Sequence, residues 1–235
     1  MRATVKESRE VAKRTLFVVF DLLGEEVEFR AGQYFWVELP ARGYSDEKGL
    51  RRHISVATSP TDRGVLGLAT RLRDSAFKRT LAELTVGDEV AVEQPKGNFA
   101  LPEDTSPRYV FVAGGIGITI FRSMLRYIAD TGEPYDVTLV YSNRDRESAA
   151  FLDELDDLQA RIPKLRVVLT MTQDDGWDGE SRHVGPDMLR DHLGELTDYT
   201  FVVAGPPAMA NGVAESIKGA GVPEEQVLSE GFSGY

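Results

Sequence analysis

The side chains best equipped for chemistry in this 235-residue sequence are glycines, hydroxyls and arginines, because it has no cysteine and only three histidines. The stretch RYVFVAGGIGITIFRSMLRYIA runs from an apolar strand through Gly114, Gly115 and Gly117 into a helix. Glycines let a backbone turn sharply and approach a ligand, and the free N–H groups at a helix start attract an anion. A dinucleotide pyrophosphate suits such a turn. A bare strand–helix connection suits it equally, because Ile118 and Thr119 follow Gly117 and the GxGxxG spacing is missing. Further on, TLVYSNRDRES places Ser142, Asn143 and Arg144 at the C-terminal end of the next strand, where open α/β sheets bind ligands. Arg144 or Arg146 can meet a ribose 2′-phosphate, or simply balance Asp153, Glu154, Asp156 and Asp157. In FVVAGPPAM, Gly205-Pro206-Pro207 forms a tight loop at the last strand, over the same sheet edge or as plain punctuation.

The elements that must carry these residues fall into two grammars. Over the first hundred residues, short β-branched runs (Thr15–Phe20, Tyr34–Leu39, Ile54–Ala57, Val65–Thr70, Glu89–Val92) are separated by Gly and Pro, which predicts an antiparallel barrel. One helix interrupts it, with Phe77, Leu81 and Leu84 at helical spacing. From Arg108 on, buried-type strands (Tyr109–Ala113, Val137–Tyr141, Leu165–Thr170, Thr200–Ala204) alternate with amphipathic segments at 119–130, 148–161, 186–193 and 207–220. That alternation predicts βαβ units and a parallel sheet covered on both faces. The Pro-containing stretch Leu101–Arg108 is the linker, and the expected domains are 1–103 and 104–235.

Composition excludes several classes. Without cysteine there is no disulfide, thiolate zinc site, Cys-ligated cluster or cysteine nucleophile. His53, His183 and His192 are too scattered for a metal cage, so no metal is expected. The net charge of −11 argues against nucleic acid as a partner. Residues 1–100 carry 16 basic against 15 acidic side chains and the remainder 11 against 23, in keeping with two different surfaces. No apolar run approaches the roughly 20 residues of a bilayer span. With no apolar leader at the N-terminus, a cytoplasmic location and no membrane insertion are expected.

Taken in order, these motifs resemble the ferredoxin–NADP reductase superfamily, in which an FAD-binding β-barrel precedes an NAD(P)-binding α/β domain. FRAGQYFWVEL is similar to an early barrel strand of that family, and RRHISVATSP to its Arg-x-aromatic-Ser flavin motif, on Arg52, His53, Ile54 and Ser55. TRLRDSAFKRTL resembles the loop and helix that receive the FAD pyrophosphate, with Thr70, Arg71, Ser75 and Ala76. GDEVAVEQPKGNF resembles the closing strand and its Gly97-x-Phe99 turn. GGIGIT (Gly115, Gly117, Thr119), YSNR (Ser142, Asn143, Arg144) and GPPAM (Gly205, Pro206, Met209) match the nicotinamide half, and the chain stops at EGFSGY, where the family places an aromatic, here Tyr235. The resemblance implies that Arg52 neutralises a pyrophosphate, that Ser55 hydrogen-bonds near flavin N5, and that Tyr235 stacks on the isoalloxazine and moves aside for nicotinamide. Ser55 and Tyr235 are the implied catalytic residues. As a helix start, Ser75 can cap the helix while its N–H faces the diphosphate.

Three positions depart from the family pattern. Ile54 replaces a stacking aromatic, Ala204 a cysteine near the nicotinamide, and Ile120 a proline. The expected function is an FAD-dependent oxidoreductase that takes hydride from NADH or NADPH and passes electrons to a separate acceptor. That acceptor is expected to be an acidic ferredoxin or flavodoxin docking on Arg51, Arg71, Arg73, Lys78, Arg79 and Lys96. The alternatives are a reductase of free flavin, quinone or ferric chelates, and a non-catalytic flavin- or nucleotide-binding subunit. Trp36 is expected to pack the barrel, Trp177 to lie in an exposed loop, and Asp153–Asp157 to form a solvated helix face.

Overall fold

The computed structural model describes residues 1–231, and Tyr235 lies outside them. Six strands build the first sheet: β1 (Arg2–Ala12), β2 (Thr15–Asp21), β3 (Tyr34–Glu38), β4 (Arg51–Ser55), β5 (Val65–Arg71) and β6 (Glu89–Val92). Their order is β4-β3-β6-β1-β2-β5, with every pairing antiparallel. Just beyond β4, the Ala57 N–H donates to the Gly67 carbonyl of β5 at 2.8 Å, which links the two edge strands and closes the sheet towards a barrel. Alternation sets its inside: Phe20, Phe35, Val37, Leu66 and Leu68 are fully buried there. Helix α1 (Ala76–Ala82) drops Phe77 and Leu81 into the same core.

The second sheet comprises β7 (Arg108–Gly114), β8 (Asp136–Asn143), β9 (Leu165–Met171), β10 (Tyr199–Gly205) and β11 (Val227–Gly231), in the order β11-β10-β7-β8-β9 and all parallel. Helices α2 (Ile118–Thr131) and α3 (Leu152–Arg161) cover one face through Phe121, Met124 and Leu155. Helices α4 (Pro186–Leu193) and α5 (Pro207–Gly219) cover the other through Met188, Leu189, Val213 and Ile217. Both sheet types are those the residue patterns predict.

The two sheets share a core. Phe17, Val19, Ala57, Val65 and Ala69 of the barrel pack in one cluster with Ile120, Phe121, Met124 and Phe151. Polar bonds fasten α2 to the chain leaving β4: Ser123 Oγ donates to Thr58 O at 2.6 Å, and Arg126 pairs with Asp62 at 2.9 Å. Arg122 donates to Ala57 O from a guanidinium lying 4.7 Å from the Phe17 ring centre and 4.8 Å from that of Phe151.

Several expectations are corrected. Strand β4 begins at Arg51 and ends at Ser55, three residues ahead of the predicted start, because Arg51–Ser55 is the run that pairs with Tyr34–Glu38. A 3₁₀ turn at Arg146–Ser148 delays α3 to Leu152. Trp36 does not pack the barrel interior; pairing across from His53 turns it to the outer face, with its ring centre 5.0 Å from the imidazole and 4.2 Å from the Arg51 guanidinium. Trp177 is half-buried, its indole N–H donating to Glu180 O at 2.8 Å. Within the acidic helix, Glu154 is not a solvated charge, since it accepts from Arg122 Nε at 2.7 Å.

Candidate functional site

A cavity of about 540 Å³ opens where the barrel meets the glycine turn, within the range of small-molecule sites. The barrel contributes Arg52, His53, Ile54 and Ser55 from β4, Tyr34 and Trp36 from β3, and Thr70 from β5. The residues after β6 fold back so that Lys96 and Tyr34 exchange backbone hydrogen bonds at 2.8 and 3.0 Å, which brings Gly97, Asn98 and Phe99 to the rim. Gly97 sits at φ +117°, and a Cβ there would lie 3.0 Å from the Tyr34 ring. From the other sheet come Ile116, Thr119 and Ile120, with Glu230 and Gly231 at the end of β11. Burial raises the carboxyl pKa of Glu230 and lowers that of the His53 imidazole.

The cavity is lined by apolar side chains (Ile54, Phe77, Phe99, Ile120) interspersed with polar and charged ones, the pattern of a site that holds and orients a small molecule. One end is cationic. Arg52 is 4% exposed and Lys78 5% exposed, both lining the cavity, and burial together with Arg73 and Arg52 pushes the Lys78 pKa down to about 8. An apolar shelf with buried cations at one end fits a flavin carrying phosphate.

Of the residues singled out in the sequence, Arg52, His53, Ile54, Ser55, Thr70 and Thr119 meet in this cavity. Ser75 caps α1, its Oγ accepting from Lys78 N at 3.3 Å. Its own N–H does not face a ligand, because it donates to Arg73 O at 3.0 Å, and the Ala76 N–H is taken by Asp46 Oδ2 at 2.7 Å. Arg71 also turns away and donates to Ser148 O at 3.0 Å across the domain contact.

The nicotinamide-half residues gather along one sheet edge. Gly114 is in register with Ser142, and Ala113 with Ala204, so the ends of β7, β8 and β10 lie side by side. The glycines there serve close packing. A Cβ on Gly117 would fall 2.3 Å from Ala204 O, one on Gly114 2.8 Å from Met209 Sδ, and one on Gly205 3.1 Å from Gly114 Cα. Gly115 differs: at φ +51° its Cβ position is open space. The Thr119 hydroxyl donates to Ile116 O at 2.9 Å and ties the turn together. Asn143 is buried and its backbone carbonyl receives Thr172 N–H at 2.9 Å, whereas Arg144 is exposed. Arg146 stacks 5.3 Å from the Trp177 ring centre, and its N–H donates to Asp174.

The expected basic docking surface is largely neutralised. Lys78 is buried, Arg51 and Lys96 both pair with Glu93, Arg79 pairs with Asp74, and Arg71 is engaged as described. Of the six cations, Arg73 is the one that is exposed and has no ion pair or hydrogen bond from its side chain among the described residues. Sequence reasoning does not assign Lys78, Tyr34, Trp36 or Glu230 to a ligand site. For Lys78 a signal exists, because it follows Phe77 within the buried run Ala76-Phe77-Lys78 of α1.

Comparison with known proteins gives two family matches. The oxidoreductase FAD-binding domain matches residues 2–101, and the oxidoreductase NAD-binding domain matches residues 111–215. Methane monooxygenase component C of Methylosinus trichosporium is 30% identical over 194 residues, covering 82% of this chain and 52% of that protein. Reductase component 1 of the terephthalate 1,2-dioxygenase of a Comamonas species is 27% identical over 215 residues, covering 90% of this chain and 61% of that one. The chain thus spans between half and three fifths of the length of these relatives. Among solved structures, the flavohem-like FAD/NAD-binding domain of nitric oxide dioxygenase from Vibrio cholerae superposes with a TM-score of 0.85, at 21% identity and 98% coverage of both chains.

Proposed function

Because the chain belongs to the ferredoxin–NADP reductase superfamily, with an FAD-binding domain followed by an NAD-binding domain, we propose that it is an NAD(P)H-dependent flavin oxidoreductase that hands electrons to a separate carrier protein. One observation carries this reading. The strand bearing Arg52, Ile54 and Ser55 and the glycine-turn residues Ile116, Thr119 and Ile120 line a single cavity, so a flavin and a nicotinamide held by their own domains would meet there. FAD, when bound, would supply the redox chemistry that links a hydride donor to an electron acceptor.

The chain's own residues do the rest. Ser55, 7% exposed, offers a hydroxyl to the cavity from a strand held in register by β3, which suits it to hold a proton near the flavin's reacting edge. Ile54 and Phe99 exclude water from one side. At the adjoining sheet edge, the close packing of Gly114, Gly117 and Gly205 holds the ends of β7 and β10 against the start of α2, beside the proposed nucleotide position. Tyr235 is proposed to cover the flavin until nicotinamide arrives.

A carrier protein as acceptor is supported by the monooxygenase-component relative. An acidic carrier has only Arg73 in its favour among the six cations considered, so small acceptors stay as the second reading. The cytoplasm, where reduced nicotinamide is held, is the compartment this reading implies, and no helix among the described residues is long and apolar enough to cross a membrane. Turnover with a [2Fe–2S] ferredoxin or a flavodoxin at least tenfold faster than with free flavin, quinone or ferric citrate is the expected result. Equal rates would transfer the assignment to small acceptors.

Ile54→Phe tests the flavin face separately. An aromatic placed against an isoalloxazine adds roughly 0.5–1.5 kcal/mol of stacking, so FAD is expected to bind up to about tenfold tighter. Isothermal titration of FAD into flavin-free protein measures it. Unchanged or weaker binding would mean that Ile54 does not lie against the ring.

A further inference from the structure

Lys78 is a buried cation without a counter-charge among the described residues. Helix α1 turns it inward beside Phe77 and leaves it 5% exposed against the cavity wall. Among the described residues no carboxylate pairs with its ammonium, and the charges that act on it, Arg52 and Arg73, are both positive. Asp46, which bonds the first turn of α1, is committed elsewhere. Its Oδ2 accepts from Ala76 N at 2.7 Å, and its Oδ1 accepts from Lys48 N at 2.9 Å and lies 3.8 Å from Arg52 Nη2. Two backbone donors at the start of α1 are therefore already satisfied by Asp46 and by Ser75 Oγ. Lys78 thus lies buried at the cavity wall with no anionic partner among the described residues, an arrangement that a ligand bringing negative charge would stabilise.

We propose that the Lys78 ammonium binds a phosphoryl oxygen of the flavin nucleotide in this cavity, so that the chain selects phosphorylated flavins over riboflavin. The inference rests on the flavin reading of the cavity and deepens it. It moves the phosphate contact from the N-terminus of α1, which the chain caps for itself, to a side chain that the surrounding packing fixes.

A pH dependence follows. Only the protonated amine attracts phosphate, and the unliganded Lys78 titrates near pH 8. Affinity for phosphorylated flavins is therefore full below that point and falls as pH rises through it, approaching tenfold per unit well above. Asp46, the carboxylate beside Arg52, stays ionised over this range because the Ala76 N–H holds its carboxyl below the usual range. His53 and Glu230 also line the cavity, but they face riboflavin as they face FAD, so riboflavin serves as their control.

The test is a fluorescence titration of the full, flavin-free chain with FAD, FMN and riboflavin, for the wild type, Lys78→Met and Lys78→Arg. Lys78→Met is expected to weaken FAD and FMN at least tenfold, to change riboflavin and NADH less than twofold, and to abolish the loss of FAD affinity between pH 7 and 9. Lys78→Arg is expected to restore most of the affinity. The melting temperature of flavin-free Lys78→Met should equal or exceed that of the wild type, since an uncompensated buried charge is gone. Equal weakening of all three flavins, unchanged FAD affinity, or a loss confined to NADH would each overturn the phosphate role. Wild-type protein that binds none of the three would overturn the flavin reading itself.

Discussion

Arg122→Met is expected to loosen the junction of the two domains and to slow electron entry with little change in nucleotide affinity. The wild-type guanidinium is 3% exposed and makes three kinds of contact at once. It donates to Ala57 O, binds Glu154 Oε2 at 2.7 Å, and lies over both the Phe17 and Phe151 rings. Methionine preserves the apolar stem but strands a buried carbonyl and leaves Glu154 with Arg126 alone, at 3.8 Å. Breaking a buried pair and a buried hydrogen bond together costs about 3–5 kcal/mol, readable as a fall in the urea midpoint at unchanged slope. Ala57 lies two residues beyond Ser55, and α2 springs from the glycine turn. The same bond therefore sets the distance between the two cofactor positions. At a temperature where the variant is folded, flavin reduction at saturating NAD(P)H should slow at least tenfold while the nucleotide dissociation constant moves less than threefold. Arg122→Lys, which keeps the Glu154 pair, should recover part of the stability and less of the rate. A variant as stable and as fast as the wild type would mean that the junction is held by apolar packing alone.

Gly117→Ala is expected to weaken nicotinamide binding at least tenfold while sparing the flavin. Backbone conformation is not the obstacle, because Gly117 has φ −57° and ψ −17°, which alanine adopts freely. Space is the obstacle. The new methyl would sit 2.3 Å from Ala204 O, 2.7 Å from its carbonyl carbon and 2.9 Å from Gly205 Cα, all of them backbone atoms. No side chain can swing aside, so the glycine turn and the end of β10 must separate. Overpacking of this kind costs roughly 1–3 kcal/mol, and the displaced atoms form the sheet edge where the nucleotide is proposed to lie. Gly115→Ala is the control: its methyl meets nothing within 4 Å, and only the +51° φ opposes it, at about 1 kcal/mol. Measured by quenching of protein fluorescence with NADH, Gly117→Ala should bind at least tenfold more weakly and Gly115→Ala nearly normally. Wild-type affinity in Gly117→Ala would separate the glycine turn from the nucleotide site.

Much of the architecture is legible because it is written in burial. Strands β2, β5, β7 and β8 are buried nearly throughout around apolar centres, and the glycine turn between β7 and α2 is marked by three glycines in four residues. Strand β1 escapes a sequence reading because it does not look buried: RATVKESREVA exposes most of its length and pairs on both sides only near its start. Strand β11 escapes for a similar reason, as a largely exposed edge strand carrying Ser229 and Glu230. The position of Trp36 follows from register, which a single strand does not reveal: only the pairing of Trp36 with His53 shows which face is outward.

The candidate site is legible where type and spacing both speak, as in Arg52–Ser55 and Thr119, and illegible where tertiary contact decides. A lysine beside Arg79 reads as surface charge until α1 is seen to turn Lys78 inward and leave Arg79 with Asp74. Ser75 is a cap, as its type and place predict, but it is not an open donor, because nothing local shows that its N–H closes onto Arg73 O. Arg122 carries no motif at all, and its importance arises from three elements distant in sequence.

The central claim is that one cavity brings nicotinamide and flavin together. Its most direct test is an anaerobic visible titration of FAD-reconstituted protein with NADPH and then NADH. The account predicts that the flavin band near 450 nm (an approximate property of the cofactor) bleaches with at least one of the two. The more effective nucleotide would then define what exposed Arg144 does beside an Arg146 already stacked on Trp177. A bound flavin that neither nucleotide reduces would contradict the account and leave a nucleotide-binding protein without reductase activity.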